Sequence, residues 1–362
     1  STPEEAIGRT DFDNYKEVDA RRMFETEQRI IQTGDSREGI EEQETWKDGH
    51  VGWVSTTKMP LKDPEGKIVG TFGVSRDITV HKEAELRAAY YAEQIRRIKE
   101  EMEEEVRMAA ELQKTFFPRT YPTYPEGVPS SDSAVQFCYH YHASGTVSGD
   151  FCSIRRLSET ECGILQCDVM GHGVRAALGT ALIYAMVEEL SQKEDDPGLF
   201  LGSLNKLLLP ILRQEDTFLY ATASYMIVDA ATGQIRFSNA GHPVPLHFQT
   251  SEGKVEWLMD NASMRGPALA IDEQAEFPTV KKQVQPGDSV LMFTDGLYEV
   301  EGPEGDEFGE ERLLDAACRH TGLPLDALFS SLINEARHFS EEAEFNDDVC
   351  LVGFTFNKPM KG

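Results

Sequence analysis

The amino-acid sequence predicts an α+β protein, and three observations support this class. Strand-like runs near the start of the chain are separated by the hairpin-turn signals Asp48-Gly49 and Pro64-Glu65-Gly66. The stretch 81–117 contains neither glycine nor proline and is therefore expected to be one helix. Further along the chain, short apolar runs typical of buried strands alternate with helical patterns. We therefore expect three domains, with boundaries at 1–80, 81–117 and 118–362.

The first domain, 1–80, combines a polar helical stretch that ends at Gly34 with a small antiparallel sheet. Apolar and polar residues alternate imperfectly between Trp53 and Met59. An antiparallel sheet with one solvated face shows this kind of alternation.

The second domain, 81–117, carries apolar or small residues at alternating steps of four and three. These residues are Ala84, Ala88, Tyr91, Ile95, Ile98 and Met102. The heptad spacing predicts a parallel dimeric coiled coil, and a solvated single helix is the alternative. From Met102 the pattern steps by four to Val106 and continues through Ala109, Leu112 and Phe116, which predicts a stutter in the coiled coil.

Composition restricts the classes of partner. The chain has 63 acidic and 35 basic residues, a formal net charge of −28, so nucleic acid is not an expected partner. Six cysteines without C-x-x-C spacing predict reduced thiols and a cytoplasmic location. No apolar run reaches the ~20 residues of a membrane span, and no signal peptide is visible. The chain begins as if within a fold, so we expect it to be part of a longer protein.

Acidic residues of the third domain, 118–362, stand at the ends of predicted strands. They are Asp150, Asp168, Asp295, Asp347 and Asp348. An aspartate next to a glycine is most often a turn or cap residue, so each one alone is weak evidence. Several of them at one sheet rim would repel each other strongly unless cations were bound. All-oxygen ligation suits Mg²⁺ or Mn²⁺.

The glycine-rich turn at 171–176 offers a competing interpretation as a dinucleotide fingerprint. That motif requires a second parallel strand closed by an acid, whereas another helical pattern follows the helix here. Asp168 would also face the pyrophosphate without a neutralising cation. The nucleotide interpretation is therefore rejected.

Two resemblances to known families cover most of the chain. "TTKMPLKDPEGKIVGTFGVSRDIT" at 56–79 resembles the C-terminal half of a PAS sensor domain, whose first strands are missing from this sequence. No residue pattern in this domain identifies a bound ligand. The alternative to a sensor is a PAS unit that serves only for dimerisation. The third domain resembles the PPM (PP2C-like) serine/threonine phosphatases of bacterial partner-switching pathways, the RsbU and SpoIIE type. The ordered motifs that carry this resemblance are "VSGD", "DVMGHG", "SNAGHP", "FTDGLYE", "FGEERL" and "NDDVCLV".

The second resemblance implies a PPM-type β-sandwich flanked by helices and a metal-dependent active site. It implies two Mn²⁺ or Mg²⁺ ions. Asp168 would bridge these two ions, and the carbonyl of Val169 would be a further ligand. Asp295 and Asp347 complete the carboxylate set, with Asp348 ranked below Asp347, and Asp150 acts beside them. The residues expected to take part in catalysis are Asp150, Asp168 and Asp295.

This chain departs from the family pattern at two positions. Ser153 replaces a second acid found in many relatives, and Met170 replaces a histidine proposed as a proton donor in eukaryotic members. We expect His172 and His242 to stabilise turns rather than to act in catalysis.

The resemblance implies hydrolysis of phosphoserine or phosphothreonine on a protein. The substrate it implies is a phosphorylated anti-anti-sigma factor of the STAS type, and control comes from the PAS sensor through a homodimer held by the PAS unit and the coiled coil. The alternative is a non-catalytic signalling adaptor with a degenerate phosphatase fold, which the departures at Ser153 and Met170 favour.

Overall fold

The computed structural model describes residues 3–191, 194–214, 217–259, 265–340 and 345–360. The chain divides into two compact units, Ser1–Met102 and Glu103–Gly362. Within the described ranges, no helix combines the length and the apolar character that crossing a bilayer requires.

The first unit contains a three-stranded antiparallel sheet in the order β1-β2-β3, with helix α3 packed against it. Helix α3 ends at Gly34, whose φ of 76° lies in the left-handed region that favours glycine. The buried side chains between α3 and the sheet are Ala20, Met23, Ile30 and Val54. The elements are α1 (Pro3–Ala6), α2 (Asp11–Asn14), α3 (Glu17–Thr33), β1 (Arg37–Thr45), β2 (Val51–Lys62) and β3 (Ile68–Asp77).

Helix α4 (Thr79–Gln113) begins within the first unit and ends within the second. Its apolar residues before Met102 are largely solvent-exposed, as the predicted heptad stripe requires of a face that a second helix could cover. Those of the stripe include Tyr91, Ile95 and Ile98.

The last turns of α4 show that Val106 does not belong to the heptad stripe. Val106 is half-buried and Ala110 and Gln113 are buried, whereas Ala109 and Leu112 are exposed. Without Val106, heptad spacing continues from Met102 to Ala109 and Leu112, with Glu105 at the intervening position. The predicted stutter is therefore unnecessary, because Val106 faces the second unit.

The second unit is a sandwich of two five-stranded antiparallel sheets. One sheet has the order β13-β10-β9-β6-β5 and the other β12-β11-β14-β15-β4. The strands are β4 (Val135–His142), β5 (Asp150–Arg156), β6 (Glu161–Val169), β7 (Arg213–Gln214), β8 (Thr217–Phe218), β9 (Ala221–Asp229), β10 (Gln234–Ala240), β11 (Leu246–Gln249), β12 (Lys254–Trp257), β13 (Val280–Gln283), β14 (Ser289–Phe293) and β15 (Val349–Phe356). The helices are α5 (Val174–Leu190), α6 (Pro197–Leu212), α7 (Gly309–Arg319) and α8 (Leu325–Ser340).

Three apolar clusters define four layers, helix–sheet–sheet–helix. One cluster lies between the sheets, a second packs α5 and α6 on the first sheet, and a third packs α7 and α8 on the other. In β6, Ile164 faces the other sheet while Leu165 faces the helices. Strands buried on both faces explain the nearly continuous apolar runs in the sequence, and they fix the positions of the residues at their ends.

Candidate functional site

The five aspartates predicted from the sequence lie at one rim of the sandwich. Asp150 begins β5 and pairs directly with Asp168 near the end of β6. One residue, Thr294, separates Asp295 from the end of β14. Asp347 and Asp348 directly precede β15. Because β14 and β15 are antiparallel neighbours, the end of one strand lies beside the start of the other. The structure thus brings carboxylates from both sheets together.

Thr294 links the two sheets at this rim. Its hydroxyl donates a hydrogen bond to Oδ2 of Asp150 at 2.7 Å, and it accepts one from the backbone amide of Cys350 at 2.9 Å. Asp150 is 1% exposed, so this bond stabilises a carboxylate that is removed from water. Thr294 therefore fixes the distance between the start of β5 and the start of β15.

Gly296 allows the segment after β14 to approach the segment before β15. A Cβ atom at this position would lie 2.1 Å from the carbonyl oxygen of Asp348, a distance that no side chain tolerates. The Asp-Gly sequence here is therefore required by close backbone packing. That packing places Asp295 beside Asp347.

Burial and mutual repulsion disfavour the charged forms of these carboxyl groups. Burial first, and then the carboxylates of Asp295 and Asp347, raise the pKa of Asp168 to about 8. Burial and Asp347 raise the pKa of Asp295, and burial raises that of Asp347. The pKa of Asp150 is also raised, by burial and then by Asp168. A cluster of this kind attracts cations that relieve the repulsion.

Asp348 holds the loop before β5. Its Oδ1 accepts hydrogen bonds from the amide of Ser144 at 2.8 Å and from the Ser144 hydroxyl at 3.0 Å. Its Oδ2 accepts a hydrogen bond from the amide of Gly149 at 2.9 Å. Both oxygens are thus used within the protein, which favours a positioning role for Asp348 over the ligand role expected from the sequence.

The same loop is anchored to the end of helix α4 by Gln113. Its Nε2 donates to the carbonyl of Ser148 at 2.7 Å and to the Thr180 hydroxyl at 3.0 Å. Its Oε1 accepts a hydrogen bond from the Ser148 amide at 3.0 Å. The Ser148 hydroxyl in turn accepts one from the amide of Asp150 at 2.9 Å. Ser148 alone therefore links Gln113 of the helix to the backbone of Asp150.

The donor set of the rim fits divalent cations such as Mg²⁺ or Mn²⁺, because it consists of carboxylate and carbonyl oxygens. At Gly149 a Cβ atom would lie 2.6 Å from the carbonyl oxygen of Val169 and 3.0 Å from Oδ1 of Asp168. The glycine thus leaves space beside these two oxygens. Among the side chains that the structure describes, no three His, Cys, Asp or Glu groups already form a closed ligand set.

The two histidines of the glycine motifs differ in position. His172 lines the cleft above the acidic rim. His242 is 1% exposed, its Nδ1 lies 2.8 Å from the Thr222 hydroxyl, and burial lowers its pKa to about 3. A histidine that stays neutral and buried holds the turn after β10, in agreement with the role expected from the sequence.

Sequence reasoning missed several residues of the site. Thr294 and Glu299 both lie within the motif "FTDGLYE", and the charge of Glu299 contributes to the raised pKa of Asp168. Gln113 lies in "ELQKTFFP", where a polar residue on the buried face of a helix was the available signal.

Comparison with solved structures defines the class of the second unit. The SiaA-PP2C domain of Pseudomonas aeruginosa is similar over 72% of this chain and 99% of its own, with a TM-score of 0.59 and 20% identity. The RsbU and RsbW domains of Rv1364c from Mycobacterium tuberculosis are similar over 68% of this chain and 64% of theirs, with a TM-score of 0.56 and 19% identity. The fold is therefore that of PP2C-type domains, as the sequence predicted.

The family follows from the sequence comparison. The family model for Stage II sporulation protein E (SpoIIE) matches residues 158–357, more than half of the chain, and a PAS fold model matches residues 1–83. The chain belongs to the SpoIIE family and carries an N-terminal PAS fold.

Curated relatives agree with this assignment. The phosphoserine phosphatase RsbP of Bacillus subtilis is 27% identical over 225 residues, which cover 62% of this chain and 53% of RsbP. The phosphoserine phosphatase RsbU of the same organism is 22% identical over 265 residues, which cover 71% of this chain and 72% of RsbU. The chain thus spans about half the length of RsbP.

Proposed function

We propose that this chain is a metal-dependent protein serine/threonine phosphatase. The observation that carries the proposal is the convergence of Asp150, Asp168, Asp295 and Asp347 at one rim of a PP2C-type sandwich. Membership of the SpoIIE family and similarity to two phosphoserine phosphatases support the same activity.

The residues of this chain have distinct roles in the proposed reaction. Asp168, Asp295, Asp347 and the carbonyl of Val169 would hold two Mn²⁺ or Mg²⁺ ions, with Asp150 beside them. When bound, such ions activate water and neutralise phosphoryl charge. Thr294 keeps Asp150 in place, and Asp348 attaches the loop 144–149 to the start of β15. The described lining of the cleft contains no lysine or arginine, so the chain itself supplies little positive charge to a phosphate there.

The substrate and the control of the enzyme are further parts of the proposal. We infer that the substrate is a phosphorylated STAS-type protein and that the PAS fold regulates the phosphatase. We also infer a cytoplasmic homodimer joined through α4 and the PAS unit. Family membership supports the substrate, and the exposed heptad stripe of α4 supports the dimer.

The decisive experiment is manganese-dependent release of phosphate from a phosphoserine protein or peptide. We expect activity with Mn²⁺, its loss in excess EDTA, and a decrease of at least about 100-fold in Asp168→Asn and Asp295→Asn. The exposed Asp315 in α7 provides the matched control, and Asp315→Asn should retain full activity. Turnover that persists in EDTA would contradict the metal mechanism. Partner binding without any turnover would support the adaptor alternative.

A further inference from the structure

A cleft of about 880 Å³ lies over the acidic rim of the second unit. Asp168 and Asp347 form part of its lining, and so does Val106 near the end of helix α4. The helix that precedes the catalytic fold therefore contributes directly to the cleft that contains the proposed reaction centre.

One side of this cleft is apolar. Val147 and Phe345 are almost fully buried, whereas Val174 at the start of α5 is 50% exposed and Val106 is half-buried. Val106 and Val174 thus present apolar surface to the cleft. Exposed apolar surface beside a reaction centre is typical of a surface that contacts a ligand.

Residues that follow Val106 anchor α4 in the second unit. One and two turns further on, Ala110 is buried in the second unit and Gln113 makes three hydrogen bonds that attach the helix to the loop 144–149 and to α5. Val106 lies beyond these anchoring contacts, where its side chain faces the cleft. Its position is therefore suited to contact with a bound molecule.

The charges around the cleft restrict what can bind there. The rim carries several carboxylates, and the described cleft lining has no lysine or arginine. Acidic residues beside a phosphoserine would be repelled by these carboxylates. Aliphatic residues complement the surface formed by Val106 and Val174.

We propose that Val106 and Val174 form a substrate-recognition wall that contacts aliphatic residues next to the phosphoserine of the protein substrate. This inference rests on the proposed phosphatase function and adds a specificity determinant to it. The wall joins a residue of α4 to a residue of α5.

The test compares three substrates with the full chain in Mn²⁺. Two phosphoserine peptides of equal length carry either leucine and valine or aspartate on both sides of the phosphoserine, and p-nitrophenyl phosphate is the small substrate. We expect kcat/KM to be about tenfold higher for the aliphatic peptide. Val106→Ser should reduce this preference to about threefold or less, mainly through a higher KM, with a smaller effect on p-nitrophenyl phosphate.

Met108 provides the matched control, since it is 52% exposed on the same helix and lies outside the cleft lining. Met108→Ser should keep the tenfold preference. Equal turnover of both peptides by the unmodified chain, or an equal loss of all three activities in Val106→Ser, would overturn the recognition wall alone. Failure of the unmodified chain to hydrolyse any of the three substrates would instead overturn the proposed phosphatase function.

Discussion

Single residues at the rim show how close backbone packing and one hydroxyl group position the carboxylates of the site. Gly296 permits a backbone approach that any side chain would block, and Thr294 uses one hydroxyl to join Asp150 to the opposite sheet. Neither residue has an ionisable group with a role in the proposed reaction. Both nevertheless hold together the backbone segments that carry Asp150, Asp295 and Asp347.

His242 makes a prediction about pH at the residue scale. Its pKa is about 3 in the folded chain, against about 6.5 in an unfolded chain. The unfolded state therefore binds a proton as the pH falls below 6.5, while the folded state does not, so the stabilising contribution present at neutral pH is lost toward acid. Between pH 7 and pH 5, we expect the free energy of unfolding of the unmodified chain to fall by about 2 kcal/mol more than that of His242→Gln.

Urea denaturation of both proteins at the two pH values measures this difference. His338 is exposed at the end of α8, so His338→Gln should follow the unmodified chain at both pH values. Parallel curves for His242→Gln and the unmodified chain would show that His242 titrates normally in the folded state.

The sequence predicted the candidate carboxylates because strand ends are local features. Each of Asp150, Asp168, Asp295 and Asp347 follows or precedes a short apolar run that is readable without a structure. The contacts of Thr294 and Gln113 were not predictable in this way. They join residues 144 and 35 positions apart, and no local pattern specifies such pairs.

At the scale of elements, helix α4 has two faces with different partners. The heptad stripe through Ile95, Ile98 and Met102 is exposed, whereas Val106, Ala110 and Gln113 turn toward the second unit. The apolar pattern of the sequence includes Val106 in the stripe, because apolar character alone does not distinguish the two faces. Burial distinguishes the two faces. Residues 106, 110 and 113 follow a helical spacing of four and three, so they lie on one face of α4.

Gln113 makes a prediction about this second face. Gln113→Met keeps the length of the side chain but leaves the amide and carbonyl of Ser148 without their partner in a buried position. We expect the free energy of unfolding to fall by about 1–3 kcal/mol. We also expect a lower kcat, because Ser148 holds the amide of Asp150. Thermal unfolding and manganese-dependent phosphatase assays measure the two effects.

Lys114 is the adjacent exposed residue, and Lys114→Met introduces the same side chain without breaking these bonds. It should retain both stability and activity. A fully active and stable Gln113→Met protein would show that the loop 144–149 is held by Asp348 alone.

At the scale of the whole molecule, the fold class was predictable and the relation of the two faces of α4 was not. Turn signals and the helix without glycine or proline are local, and they predicted the α+β class. The motifs are local as well, and they carried the resemblances to PAS and PP2C-type folds that the comparisons confirm. Assembly depends on surfaces that a single chain leaves exposed. The exposed apolar stripe of α4 is such a surface.

The proposed dimer gives the last prediction. Ile95 and Ile98 are 67% and 52% exposed in the single chain. Burying an isoleucine side chain contributes about 1.5–3 kcal/mol, and a symmetric dimer buries each residue twice. Two glutamates in their place would set four carboxylates against each other in the seam. We therefore expect the unmodified chain to sediment as a dimer and the double variant Ile95→Glu, Ile98→Glu to sediment as a monomer.

Arg97 lies between these residues on the polar face, where it pairs with Glu101, so Arg97→Glu introduces the same side chain outside the seam. This control should remain dimeric in sedimentation equilibrium. An unmodified chain that sediments as a monomer over a 100-fold range of concentrations around about 1 μM would contradict the coiled coil. A seam of several buried heptads should have a dimer Kd at or below that concentration. A double variant that stays dimeric would instead place the dimer contact in the PAS unit, because the heptad stripe could no longer provide it.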